Sequence, residues 1–257
     1  MGSLDVDGPP TGYFYRHTDN EPYALVKSCS PLYVETVNGQ RILDATGGAA
    51  VSAVGHRNAR VKKAIISQLD EIEYCHPSFF KTTAALQLAD LLVELTDGAL
   101  TRACFTASGK SRKLKPYFSE IQANDISGSE AVELAMKLAR QYFLEIDPNT
   151  RRYRFIARQG SWHGCTIGTL AVGDFKVRKA PYMPLLPDNV SHVLPCHTYR
   201  GLKKNESHEA YVARLAQNLE DEFQRVGPET VCAFIVEPIV GTVSRIHIEP
   251  FPQNPAR

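Results

Sequence analysis

A chain of 257 residues with 43% apolar content is long enough to bury a sizeable core, and it fits one large domain or one and a half smaller ones. Its 29 basic and 28 acidic side chains leave a net charge of +1, which excludes the extended basic footprint of a nucleic-acid or anionic-membrane binder and points to small-molecule work. Six cysteines, Cys29, Cys75, Cys104, Cys165, Cys196 and Cys232, are scattered without C-x-x-C spacing, so neither a structural zinc site nor a disulfide framework is expected. No stretch is long enough to span a membrane, the amino terminus lacks a basic, apolar targeting pattern, and a reducing, cytoplasmic setting is the expectation.

In chain order, residues up to about Thr18 read as a mobile arm rich in glycine, proline and polar groups. Residues 32–37, the Asn38-Gly39 turn and residues 40–44 carry a strong hairpin signal. Residues 60–71 follow a helical period with Val61, Ala64, Ile65 and Leu69 on one face, and residues 84–95 repeat it with Leu88, Leu91, Leu92 and Leu95 directed inward. Residues 102–106 read as a short buried strand. A glycine turn then opens an amphipathic helix: Ser127 and Glu130 form an S-x-x-E capping box, and Val132, Met136, Ala139 and Phe143 share the apolar face. The N–H groups of Gly128 and Ser129 would point out of the positive helix end, where a phosphate sits well; spacing alone favours an ordinary capped helix. Residues 153–157 and 231–236 are apolar strands, and residues 211–226 form a long helix with Leu215, Leu219 and Phe223 on one face. Strands alternating with helices predict an α/β fold with a parallel sheet covered on both sides.

Two segments depart from this pattern. Residues 110–128, with the basic run Lys110-Ser111-Arg112-Lys113-Leu114-Lys115-Pro116, do not read as a packed element. Residues 104–111 nearly match the G-x-x-x-x-G-K-[ST] phosphate loop, but Cys104 replaces the first glycine and Pro116 would break the following helix, which argues against a nucleotide triphosphatase.

Four ordered landmarks carry a family resemblance: residues 39–56, the Ser127-Gly128-Ser129-Glu130 helix start, Ser161-Trp162-His163-Gly164-Cys165-Thr166, and residues 233–241 with Glu237-Pro238. Together they resemble the class III aminotransferases, pyridoxal-phosphate enzymes of fold type I. The resemblance implies a large domain with a mostly parallel sheet flanked by helices, here incomplete, and an N-terminal hairpin belonging to the small domain. It divides the chain into an arm and small-domain segment (residues 1–58), a partial cofactor-binding domain (residues 59–242, with 110–128 as an atypical insertion) and an unrelated tail (residues 243–257). The insertion begins and ends at Ser-Gly; Gly109-Lys110-Ser111 and Val243-Ser244-Arg245 can each be encoded with an embedded GTAAGT splice donor, and Ser127-Gly128 with a terminal CAG acceptor, so the insertion and the tail are read as retained introns of a eukaryotic gene.

The resemblance also implies function. The intact family transfers an amino group between an amino donor and an oxo acid or aldehyde and works as a homodimer. Its cofactor phosphate would be held at Gly128 and Ser129, and Trp162 would stack on the pyridine ring. Glu237 would lie at the carboxyl edge of the sheet, where ligands of α/β folds bind. Packing alone offers blander readings: Trp162 as a core residue, His163 as a satisfied turn histidine, Glu237 as a strand-end charge in water. The family's pyridinium-pairing aspartate and Schiff-base lysine fall beyond residue 257, and Asp221-Glu222-Phe223 lies in a helix and is no substitute. No catalytic residue is therefore assigned, and an inactive remnant or cofactor-binding fragment stands as the alternative.

Overall fold

The computed structural model describes residues 24–76, 79–105, 128–241 and 246–247. The amino-terminal arm, Ser127 of the capping box, residues 106–127 and most of the tail lie outside the described residues. The chain divides into two compact units, Met1–Cys75 and His76–Arg257.

In the first unit, β1 (Val26–Ser30), β2 (Tyr33–Thr36) and β3 (Arg41–Leu43) form an antiparallel sheet in that order. The expected hairpin is β2–β3, in register Tyr33↔Leu43 and Glu35↔Arg41, and Gly39 supplies the positive φ of +86° that its turn requires. The preceding strand β1, Val-Lys-Ser-Cys-Ser, has no alternating pattern to announce it and is held by pairing to β2. Behind the hairpin, Asp44 accepts bonds from Gly47 N–H (2.9 Å), Ser52 Oγ (3.1 Å) and His56 Nε2 (2.7 Å), pinning the turn that carries the short helix α1 (Gly47–Ala50). The Gly47 N–H foremost, and then His56, hold the Asp44 carboxyl down at about 2. Asn58 caps α2 (Ala59–Glu71) by accepting from the N–H groups of Arg60 and Val61.

The second unit begins with α3 (Thr83–Glu94), capped by Thr82, followed by α4 (Gly128–Ile146). It then runs through β4 (Arg154–Arg158), α5 (Ile167–Val172), α6 (Lys176–Lys179), β5 (Val190–Val193), α7 (Thr198–Gly201), α8 (His208–Val226) and β6 (Val231–Ile235), and ends in a small antiparallel pair, β7 (Ile239–Val240) with β8 (Ile246–His247). The central sheet is parallel throughout, in the order β5-β4-β6. The apolar run Phe155-Ile156-Ala157 of β4 is buried, as a middle strand covered on both faces requires. On one side Leu219, Phe223 and Val226 of α8 pack over Ile156, Val193 and Val231, so Leu219 and Phe223 of the face expected from the sequence cover the core. Elsewhere α4 packs on β6 and α5, and α5 packs on β4 and β5.

Two expectations are overturned. Residues 102–105 form no strand and are at most half-buried, because an apolar run becomes a strand only where a neighbouring edge takes its N–H and C=O groups, and the described parallel sheet pairs only β5, β4 and β6. The leucines of α3 do not point into a core either: Leu88, Leu91, Leu92 and Leu95 are all exposed, Leu91 at 50%. Neither α2 nor α3 buries a single residue among those described.

Candidate active site

The sheet itself singles out one place. From β4 the chain crosses to β5 on one side and returns to β6 on the other, so the strand order reverses between β4 and β6. In open α/β sheets the crevice outside the carboxyl ends of two such strands is where ligands bind. The segment leaving β4 carries Ser161, Trp162, His163 and Gly164, and the segment leaving β6 carries Glu237.

Those two segments are joined. Glu237 Oε1 accepts the backbone N–H of Trp162 at 2.8 Å, and its second oxygen accepts the N–H of Gly241 at 3.3 Å. Glu237 is thus held by two backbone N–H groups rather than standing as a strand-end charge in water. It fixes the backbone that presents the only tryptophan of the chain. The half-buried indole meets Phe175 edge to face, with ring centroids 6.0 Å apart, and lies under the guanidinium of Arg178 at 5.0 Å.

Beyond Trp162 the same segment closes onto the start of α4. The hydroxyl of buried Ser129 accepts the N–H of Cys165 at 3.0 Å and lies 3.6 Å from its Sγ. Only glycine permits this approach at position 164: its φ is +140°, and a Cβ there would sit 2.6 Å from Ser129 Oγ and 2.8 Å from Ser129 Cα. Glu133, one turn further along α4, accepts Thr166 Oγ1 at 2.7 Å and Thr169 N–H at 3.2 Å, tying the start of α5 to α4. Gly128, Ser129, Trp162 and Glu237, four residues singled out from the sequence, therefore belong to one connected patch through residues 162–165.

Two features of the patch suit an anionic, flat ligand. α4 is described from Gly128 onward, and a Cβ on Gly128 would meet nothing within 4 Å among the described residues, so a ligand can approach the positive end of the helix there. His163 is 8% exposed, and its Nε2 is buried with no partner among the described residues. Burial depresses its pKa, the negative charge of Glu237 opposes that shift, and His192 adds to it, so the ring is a neutral polar group. The residues fit a group that brings a phosphate and polar ring atoms. Glu133 and Arg178 carried no signal of their own in the sequence, one being a helix-surface glutamate and the other a member of a short basic run.

A sequence model described as aminotransferase class-III matches residues 14–250. An uncharacterised aminotransferase of Schizosaccharomyces pombe is 40% identical over 228 residues, 89% of this chain and 45% of its own length. A gamma-aminobutyrate transaminase 3 of Solanum lycopersicum, a chloroplastic protein by its name, is 32% identical over 88% of this chain and 40% of its own length. Among solved structures, an omega-aminotransferase from Paracoccus denitrificans superposes with a TM-score of 0.76 over 93% of this chain and 49% of its own, at 24% identity, which shows the fold. The chain spans about half the length of the curated relatives it matches.

Proposed function

The chain belongs to the class III aminotransferase family, whose cofactor is pyridoxal phosphate, and we propose that residues 128–241 form the cofactor cradle of such an enzyme, serving amino transfer between a small amino donor and an oxo acid or aldehyde. The observation that carries this reading is the bond from Trp162 N–H to Glu237, which joins the carboxyl ends of two adjacent parallel strands at the point where the strand order reverses.

In this reading the N–H groups of Gly128 and Ser129 hold the cofactor phosphate at the positive end of α4, while the Ser129 hydroxyl keeps the loop after Trp162 in place. Trp162 offers a broad aromatic face to the ring. Glu237 orients that face through the backbone and is a positioning residue. When bound, pyridoxal phosphate supplies the electron-withdrawing ring that lets an attached amino compound exchange its nitrogen. The buried neutral His163 presents a hydrogen-bonding nitrogen at the same edge of the sheet without adding a charge.

The proposal extends to assembly and setting. A homodimer is supported by the family and by the uncovered leucines of α3, which such an assembly would have reason to cover. A cytoplasmic setting is supported by the six cysteines, scattered without C-x-x-C spacing.

Because Trp162 is the only tryptophan, its fluorescence reports on the site directly. Pyridoxamine phosphate keeps the ring and phosphate but lacks the aldehyde that reacts with surface lysines. Titrated into the full chain, it is expected to quench Trp162 saturably, whereas inorganic phosphate at the same concentration does not. Replacing Glu237 by Gln turns a charge-assisted bond into a neutral one and is expected to weaken binding about fivefold. Quenching that never saturates, or that is unchanged in Glu237→Gln, would remove the reading.

A further inference from the structure

The ring of Trp162 is held by a second set of contacts, on a segment that no sequence motif marked. Asp174 closes onto the loop leaving β4 in both directions: its carboxylate accepts Gly160 N–H at 3.1 Å, and its own N–H donates to the Ser161 carbonyl at 2.9 Å. The next residue, Phe175, stands edge-on to the indole, and Arg178 reaches back so that its guanidinium lies 5.0 Å over the indole and 5.8 Å over Phe175. Lys179 anchors the far end by donating to the carbonyls of Ala171 (2.8 Å) and Gly173 (2.9 Å) at the end of α5. Between them the Val172 carbonyl accepts from His192 Nε2 at 2.9 Å, tying the same turn to β5.

From these contacts we propose that residues 174–179 act as a strap across the site, with Arg178 a positioning residue that clamps one face of Trp162 and leaves the other for a flat ligand. The inference rests on the reading of Trp162 as the ring platform of the cradle. It adds that the platform is fixed from two independent sides, its backbone by Glu237 from β6 and its ring by the strap. Each half is local. The backbone bond does not restrain rotation of the indole about its side-chain torsions, and the cation with the edge-on Phe175 does. Arg178 is exposed and no ion pair engages it among the described residues, so its ring contacts decide where the guanidinium rests.

The test uses the full chain in two stages. In the ligand-free chain, fluorescence anisotropy and acrylamide quenching read the mobility of Trp162 in wild type, Arg178→Ala, Arg178→Lys, and a charge control, Lys204→Ala, on the exposed turn before α8. Arg178→Ala is expected to lower the anisotropy and raise quenching, Arg178→Lys to restore part of both, and Lys204→Ala to match wild type. In the second stage, pyridoxamine phosphate should bind Arg178→Ala about two- to fivefold more weakly than wild type, the size expected for one partly exposed cation–π contact. An indole as immobile in Arg178→Ala as in wild type, or tighter binding by that variant, would overturn the strap. If Arg178→Ala loses its far-ultraviolet circular dichroism, Phe175→Leu reads the same mobility with the cation kept. Should wild type bind no pyridoxamine phosphate, the cradle reading fails, while the ligand-free mobility still judges the strap.

Discussion

Helices α8 and α3 carry the same kind of signal and meet different fates. Both have apolar residues at helical spacing, and in α8 these residues, Leu219, Phe223 and Val226, lie on the buried Ile156, Val193 and Val231 of the parallel sheet. In α3, Leu88, Leu91, Leu92 and Leu95 face away from any core among the described residues. Periodicity reports that a face wants covering; it does not report whether the cover lies in the same stretch of chain. The chain spans about half of its curated relatives, and the candidate site sits in the part where the cover is present.

The contrast is sharpest for a residue at the centre of the covered region. Ile156 is fully buried beneath α8, and truncation to Ala would remove the methyl groups that Leu219 and Phe223 pack against. A loss of about 2–5 kcal/mol is expected from urea or thermal unfolding of Ile156→Ala. A loss below about 1 kcal/mol would mean that this core is as loose as the α3 face.

Next in size is a break at the site itself. Gly164→Ala places a Cβ against the Ser129 backbone at 2.8 Å in a φ region that suits glycine, so either the loop leaves α4 or α4 shifts. The expected cost is about 1–3 kcal/mol. Binding of pyridoxamine phosphate should suffer together with stability. A variant that keeps full stability but loses binding would show that the contact between loop and helix serves the ligand alone.

A third measurement moves to the first unit, where a polar hub holds the turn. Asp44 is held at about 2 in the folded chain against 3.8 for an ordinary aspartate, chiefly by Gly47 N–H and then by His56. A depressed folded value means that the unfolded chain takes up the proton first. The contribution is therefore fully present above pH 3.8 and is lost as pH falls from there through about 2. Acid unfolding of wild type followed between pH 5 and 2 should show a slope that Asp44→Asn flattens, and identical slopes would deny Asp44 its role as the hub.

Much of this architecture was legible beforehand, for definable reasons. The β2–β3 hairpin, α4, β4, α8 and β6 each announce themselves through a local rule: a turn dipeptide, a helix period, or an apolar run between polar ends. The landmark residues Ser129, Trp162 and Glu237 meet as one patch because the loop leaving β4 bonds Glu237 through Trp162 N–H and the Ser129 hydroxyl through Cys165 N–H. What stayed hidden is what depends on distant partners. Strand β5 is a short Val-Ser-His-Val whose pairing with β4 defines it, and Arg102 to Phe105 has a strand's composition without a strand's neighbours. Glu133 and Arg178 gain their roles only from what the fold brings opposite them, Thr166 with Thr169 in one case and the indole in the other. The bond made by Glu237 belongs to the same class: a carboxylate at a strand end shows no partner in the sequence until the N–H of another strand's loop is set against it.

The smallest expected effect is the one that probes the uncovered face. In an isolated chain, Leu91→Ser on α3 exchanges a half-exposed leucine for a polar residue and should change unfolding free energy by no more than about 0.5 kcal/mol, against several for Ile156→Ala. That figure holds only while the face stays bare. If a second copy of the chain covers the α3 leucines, the same substitution removes apolar area from an interface, and its cost then grows with protein concentration by mass action. Unfolding of wild type and Leu91→Ser at two concentrations a hundredfold apart separates the cases. Curves independent of concentration and nearly superposed for the two proteins leave α3 uncovered, whereas a gap that opens at the higher concentration places α3 in the interface.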